Sequence, residues 1–266
     1  MIFTDKSNYE GCFSALNKQR EKGSKRFWHI ESCHKLLFEK LKTFGNLDKD
    51  IKLVRTYLYT GRYHSKLLSS FNRACKCEID KMNELIQKEE LLLQEINNSS
   101  LESGIKDKIN SHVSNNKGIF EKIKSEQIYH IEKQRRHAEG QKKMFEYLET
   151  LPFLELKTTE LKQAKGIIYQ KGVDVQIATD LVHFAHTNAY DIALIIGGDT
   201  DLIEAIRLVR KGLGKIVIIM AYYDEEPTKS CISPSLIKEA DYFYHIGNLS
   251  EKEILSISDL LRQKEE

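Results

Sequence analysis

Asp199 and Asp201 stand one residue apart, directly after the apolar run and glycine pair of Ala193–Gly198 (ALIIGG). Two like charges at the end of a buried strand repel, and each raises the pKa of the other. Asp5 closes a first apolar stretch in the same way, and Asp174 falls where GIIYQKGVD turns into the pattern of a helix over 175–187. Asp180 lies further along that helix. Four carboxylates from three segments are thus expected at one edge of a sheet. A divalent cation removes their conflict, and hard oxygen ligands with no cysteine or histidine beside them suit Mg²⁺ or Mn²⁺. Such a cation activates water and stabilises charge on a phosphoryl centre.

Helix capping is the competing explanation. Asp201 with Glu204, and Ser7 with Glu10, have capping-box spacing. Asp174 suits an N-cap, where the helix dipole favours a carboxylate. Capping accounts for any one aspartate. It does not account for several charged caps gathering at one edge, nor for Asp199 preceding Thr200, which could cap unaided.

The elements that would hold these residues alternate. A short buried strand at 1–5 is followed by a helical stretch with Phe13, Leu16, Leu36, Leu37 and Leu41 as core candidates. Ile51–Tyr59 reads as a strand, ended by Gly61. After about Arg136 the order is helix (KKMFEYLETL), strand (FLELK), a strand end running into a helix, strand (DIALIIGG), helix, strand (GKIVIIMAYY), helix and a last strand (DYFYHI). The strands at 192–196 and 216–220 are continuously apolar, the mark of a parallel sheet covered on both faces. Ligands bind such sheets outside the carboxyl ends of the strands.

Between about His64 and Arg136 there is no proline, and apolar residues recur at helical spacing: Ile79, Met82, Leu85 and Ile86, later Ile119, Phe120, Ile123, Ile128 and Ile131. Breaks are expected at Asn97–Gly104 and at Ser114–Gly118. The segment 64–135 is read as an inserted, coiled-coil-like hairpin of two antiparallel helices with a short element at its tip. It divides an α/β domain of residues 1–63 and 136–248, and 249–266 forms a C-terminal helix and tail.

The chain of 266 residues is 41% apolar and carries a net charge of +2, so any phosphate-binding surface must be local. Its five cysteines include no Cys-x-x-Cys pair, and the spacing of Cys75, Cys77 and His64 does not close a zinc site. Free thiols are expected. The opening Met-Ile-Phe-Thr-Asp is a strand rather than a basic leader, and no apolar run reaches the length of a membrane span. A soluble, cytoplasmic protein without membrane contact is the expectation.

The segments IFTDKSN, KGVDVQIATDL, IIGGDTDLIEAIRLVRKGLGKIVII and SLIKEADYFYHI resemble the NYN domain, a branch of the PIN-like nuclease superfamily, in the bacterial subgroup that includes the LabA-like proteins. The resemblance covers 1–63 and about 136–247, not the helical insertion. It implies a PIN-like Rossmannoid α/β fold, a mainly parallel sheet with helices on both faces, and a metal-dependent nuclease acting most often on RNA. Carried over by position, Asp5, Asp174, Asp199 and Asp201 become the metal-site acids. Asn8 becomes the polar partner of the first acid, Asp180 a second-tier acid, and Thr200 a hydroxyl that helps hold the site. Lys6 stands where the family usually has Gly, Gly197 where it often has Ser, and Leu202 in place of the common Phe.

The expected reaction is phosphodiester hydrolysis with Mg²⁺ or Mn²⁺, on RNA in preference to DNA. Lys6, Arg55, Arg62 and Lys171 are candidates to steady the substrate backbone. An Asp-x-Asp phosphatase with an aspartyl nucleophile needs its motif on the first strand, where DKSN supplies no second acid. A third reading is a non-catalytic scaffold, which binds RNA and uses the hairpin to recruit a partner or to form a homodimer.

Overall fold

β1 (Ile2–Asp5) is buried at all four residues and pairs in parallel on both sides, with β3 through Ile2↔Thr56 and Asp5↔Tyr59 and with β7 through Ile2↔Leu194 and Thr4↔Ile196. A strand with two neighbours and two covered faces has no solvent side, which is why IFTD carries no apolar–polar alternation. The computed structural model describes residues 1–18, 20, 26–44, 47, 50–164, 166–226 and 230–260.

In chain order, β1 is followed by α1 (Lys6–Lys18), β2 (Arg26–Trp28), α2 (Ile30–Leu41), β3 (Thr56–Arg62), α3 (Ser65–Asn98) and α4 (Ser103–Leu148). Then come β4 (Leu154–Glu160), β5 (Lys162–Ala164), β6 (Ile167–Tyr169), α5 (Val173–His186) and β7 (Ile192–Ile196). A helical run of mixed winding over 200–212 contains α6 (Ile203–Arg207). β8 (Ile216–Ala221), α7 (Pro234–Glu239), β9 (Tyr242–His245), α8 (Glu251–Ser256) and β10 (Ser258–Leu260) complete the order.

Six strands form the central sheet in the order β4-β3-β1-β7-β8-β9. The pairs β7–β8 and β8–β9 are parallel, in the registers Ile192↔Ile216 and Ile218↔Tyr242. The backbone bonds Thr56 N–H to Phe153 O and Leu161 N–H to Arg62 O set β4 parallel to β3. The chain winds outward from β1 through β3 to β4, then returns to the far side of β1 and winds outward through β7, β8 and β9. The switch point lies between β1 and β7, the place where an open α/β sheet binds its ligands.

Alternation along β1 sorts its side chains between two helical layers. Phe3 faces α5, with ring centroids 6.4 Å from Phe184 and 5.7 Å from Tyr190. Thr4 faces α2, where its hydroxyl meets Nε2 of His34 at 3.0 Å. Asp5 therefore turns to the α5 side. The partner strand agrees: Tyr59, opposite Asp5, donates to Asp180 of α5 at 3.0 Å.

His34 is 4% exposed beside Tyr9, and its Nδ1 has no partner among the described residues. Burial holds its pKa down to about 4, against an ordinary value of 6.5. The unfolded chain takes up this proton first. The neutral ring therefore contributes stability that is fully present above pH 6.5 and is lost as pH falls towards 4, about 3 kcal/mol in all. Replacing His34 by Gln, which can still bond Thr4, should flatten that slope. Urea midpoints of both proteins at pH 7 and pH 4.5 check it, and an equal acid loss in the variant would place the sensitive group elsewhere.

The structure divides into two compact units. The first is Met1–Gly61, Phe145–Thr159 and Gln170–Glu266, and the second is Arg62–Met144 with Glu160–Tyr169. In the second, α3 and α4 run antiparallel, with Asn116 bonded to Glu89 and Lys117 to Glu90. Val113 and Ile96 are buried. The chain turns between these helices at 99–102, within the expected break, but the break expected at Ser114–Gly118 is absent. Its polar residues point across to α3, so α4 passes through and continues to Leu148.

Three further readings are corrected. The strand expected at 51–59 lies at 56–62 and passes through Gly61, because its neighbours β1 and β4 begin and end there. The strand preceding Asp174 belongs to a small antiparallel hairpin of β5 and β6 rather than to the parallel sheet. The C-terminal segment is more than helix and tail, since β10 pairs antiparallel with β2 through Ser258↔Trp28. Residues 261–266 lie outside the described residues. All five cysteines are free thiols.

Candidate active site

Asp5 is 6% exposed at the carboxyl end of β1. Its Oδ1 accepts from the Ser7 N–H at 2.7 Å, so this carboxylate does cap α1. Gln170 bonds Asp5 through its side chain and accepts from Gly61 N–H at 3.0 Å, tying the end of β3 to the end of β1. Burial pushes the Asp5 pKa up, the Ser7 amide opposes that, and the charge of Asp174 adds to it.

Asp174 lies in the first turn of α5, whose N-cap is Gly172 at φ 84° with no side-chain cap bond. Partial burial raises its pKa. Asp199 raises it further, its own helix amide opposes the rise, and Asp201 adds to it. Asp199 precedes the 3-10 turn Thr200–Leu202 and makes no side-chain cap bond; it accepts instead from the Thr200 hydroxyl at 3.0 Å. Asp201 sits inside that turn and is exposed. The helix N-termini thus account for Asp5 and for the first-turn Asp174, and leave Asp199, which makes no side-chain cap bond, and Asp201 unexplained.

The sharp turn after β7 uses two glycines. Gly197 has φ 78°, and a Cβ built on it would lie 2.7 Å from Asn8 Cβ and 3.3 Å from the Asn8 carbonyl carbon. Gly198 has φ 149° and is closed by Leu236. The tight contact of Asn8 on Gly197 holds the start of α1 against the end of β7, so Asp5 and Asp199 flank the switch point.

The four carboxylates therefore form a chain of mutual repulsion, Asp5 with Asp174 and Asp174 with both Asp199 and Asp201. Among the described residues none of them pairs with a lysine or arginine. The chemistry of this donor set, hard oxygens with uncompensated charge, fits a divalent cation. The geometry is not closed around one: no group of three or more His, Cys, Asp or Glu among the described residues stands close enough to hold a metal ion.

A depression of about 410 Å³ adjoins Asp199, lined also by Asn8, Thr200, Asp224 and Glu225. Asp224 and Glu225 follow β8 and bring further acids to the same edge. Sequence reasoning missed them and Gln170. The run AYYDEEP after an apolar strand was a signal for the first two; the bridging role of Gln170 had none. A larger hollow of about 590 Å³, lined by Ile2, Leu41, Leu53 and Tyr190, lies at the amino edge of the sheet, away from the carboxylates.

Several expected contributors are placed elsewhere. Asp180 is turned to β3 and β4, where it accepts from Tyr59 and lies 3.7 Å from Lys157. Lys6 is paired with Glu10 one helical turn along. Arg55 precedes β3, at the edge opposite the acids, and pairs with Glu155 at 3.0 Å. Arg62 is the last residue of β3 and the first of the second unit. Lys171 is exposed three residues before Asp174, with no ion pair among the described residues.

The repulsion has a measurable cost. Asp5 and Asp174 have folded-state pKa values above the ordinary 3.8. Their contribution to stability is full below that value and is lost as pH rises through the raised ones. At neutral pH both oppose folding. Asp174→Asn should then raise the melting temperature at pH 7 in EDTA, by about 2–4 °C per kcal/mol relieved. Added Mn²⁺ should stabilise the wild type more than the variant. Scanning calorimetry checks both, and a lowered melting temperature in EDTA would contradict the repulsion.

A parallel sheet with helices on both faces and acids at its switch point defines the PIN-like, Rossmannoid class of α/β proteins. The chain belongs to the NYN domain family, whose model matches residues 92–249, more than half of its length. Membership implies a PIN-like nuclease family and nucleic acid as the partner. The match begins within α3 and takes in α4, Asp174, Asp199 and Asp201, while Asp5 lies before it. The matched span runs across part of the helical segment, which the resemblance read from the sequence did not cover. A protein of unknown function from Vibrio parahaemolyticus RIMD 2210633, a solved structure, is similar to the chain at 12% identity and TM-score 0.44, over 92% of this chain and 91% of that one. No curated protein matches the chain. Among the described residues no helix is long and apolar enough to cross a membrane.

Proposed function

We propose that this chain is a metal-dependent ribonuclease that hydrolyses phosphodiester bonds at the carboxyl edge of its sheet, in the cytoplasm. The observation that carries the proposal is the line of carboxylates at the switch point, which no lysine or arginine among the described residues pairs with. Asp5, Asp174, Asp199 and Asp201 are the residues that would hold Mg²⁺ or Mn²⁺. When bound, the cation supplies an activated water and Lewis acidity toward the phosphoryl group. The Ser7 amide and Gln170 fix the Asp5 carboxylate, and the Thr200 hydroxyl fixes Asp199. Lys171 is exposed and without an ion pair among the described residues, which supports a role for it in contacting a substrate phosphate. Lys6 pairs with Glu10 and Arg55 with Glu155, so a phosphate would have to compete with those carboxylates for either. RNA is preferred to DNA on the family resemblance.

The test is cleavage of labelled single-stranded RNA, structured RNA and single-stranded DNA with Mg²⁺, with Mn²⁺ and with EDTA. Cutting of RNA that requires the metal supports the proposal. A second reading is favoured because no three ligands converge among the described residues: a scaffold that binds RNA without cutting it and uses the α3–α4 hairpin to recruit a partner or a second copy. Mn²⁺ binding measured by calorimetry, with no turnover of any substrate, would select that reading.

A further inference from the structure

The hairpin of β5 and β6 presents one face to solvent. Its register sets Lys162 opposite Tyr169 and Ala164 opposite Ile167. Residues directly opposite on an antiparallel pair share a face. All four are exposed, Tyr169 at 42% and Ile167 at 67%, whereas Gln163 and Ile168 on the other face are half-buried. Gly166, at φ 75°, closes the turn between the strands. A tyrosine and an isoleucine facing water beside a lysine are an amphipathic surface that none of the described residues covers.

Its surroundings within the second unit are basic. From Arg62 to Cys77 the chain carries four basic residues and no aspartate or glutamate. Lys66, Arg73 and Lys76 lie on the exposed side of α3, opposite the buried Leu67, Phe71 and Cys75, but only Lys66 borders β5, while Arg73 and Lys76 line a separate depression with Asp80 and Glu84. Like Lys162, these three make no ion pair among the described residues. A depression of about 420 Å³ separates the start of α3 from β5, lined by His64, Lys66, Ser70, Lys162 and Gln163, with Glu160 its one acid. The active-site edge is acidic by contrast, and repels a polyanion until a cation occupies it.

We propose that this surface is a binding platform for single-stranded RNA, with Tyr169 stacking on a base and Lys162 and Lys66 contacting phosphates. Unpaired bases offer π-faces to an exposed aromatic ring, and lysines beside the ring track the backbone. The inference rests on the nuclease reading above and names where that enzyme holds its substrate.

The experiment is fluorescence anisotropy of a labelled oligouridylate in EDTA, using the full chain, together with steady-state cleavage in Mn²⁺. Tyr169→Ala should weaken binding about tenfold, the scale of one lost stacking contact. It should raise KM and leave kcat unchanged, while Tyr169→Phe, which keeps the ring, stays close to wild type. Lys162→Ala should reduce the slope of log affinity against log salt by about 0.7. Tyr169→Ala binding as tightly as wild type, in a chain that still cuts RNA, would sink the platform and leave the nuclease standing. Absence of both binding and cleavage in the wild type would remove both. A wild-type dimer in sedimentation that Tyr169→Ala dissolves would show the face to be covered by a second copy, and would also overturn the proposal.

Discussion

Asp199→Asn is expected to abolish metal-dependent cleavage while leaving the fold intact. The substitution replaces one anionic oxygen by an amide nitrogen on an exposed residue whose one side-chain hydrogen-bond partner among the described residues is the Thr200 hydroxyl. Surface changes of this kind alter stability within about 0.5 kcal/mol. Here the sign favours the variant, because one of the charges pressing on Asp174 is removed. Its effect on the reaction is far larger. A cation that loses a ligand forfeits part of the several kcal/mol of charge stabilisation it provides. About 4 kcal/mol on the barrier is a loss of roughly 10³-fold in kcat. Binding of RNA in EDTA should persist. Single-turnover cleavage with circular dichroism on the same preparations checks both halves, and loss of folding in Asp199→Asn would mark the aspartate as structural.

The second large effect is on stability. Gly197→Ser restores the residue common in the family at this position, yet it should destabilise this chain. At φ 78° a side chain is strained, at about 1–2 kcal/mol. The new Cβ would also stand 2.7 Å from Asn8 Cβ, on the first turns of α1, whose backbone cannot retreat without pulling Asp5 from its cap. Overpacking of that kind costs about a further 1–3 kcal/mol. Gly214→Ser is the control: it has φ 64° but nothing within 4 Å, so it carries the backbone strain alone. Chemical denaturation should rank the two variants in that order. Equal losses would mean that the contact with Asn8 yields freely. Gly197→Ser should also reduce cleavage, since it separates the segments that carry Asp5 and Asp199.

The departures from the family pattern thus have different meanings. At Gly197 the glycine is matched to Asn8, and the two must be considered together. At Lys6 the side chain pairs with Glu10 one helical turn along. Leu202 is buried at 2% and serves the core beneath the acidic turn.

What the sequence determined by itself was whatever local pattern encodes. The strands β1, β7 and β8 were legible because a strand covered on both faces must be apolar throughout. Their order with the intervening helices implied a parallel sheet, and a parallel sheet has one carboxyl edge, so Asp5, Asp199 and Asp201 could be assigned to it without coordinates. The helical character of the segments that form α3 and α4 was legible from their period, but not the continuity of α4. Elements stabilised by distant partners were not. β2 and β10 have three residues each and exist through pairing across some 230 positions of chain. Ser114–Gly118 has the composition of a break, yet Lys117 and Asn116 find Glu90 and Glu89 on the facing helix, and the helix continues. Which cations remain open to a ligand was likewise a tertiary matter: Lys6 and Arg55 could not be told from Lys171 until their carboxylate neighbours were in place. Residue type and spacing announce a charge and the edge it occupies. Whether that charge is neutralised, buried or left facing solvent is decided by groups far away in the chain, which only folding brings within a few ångströms.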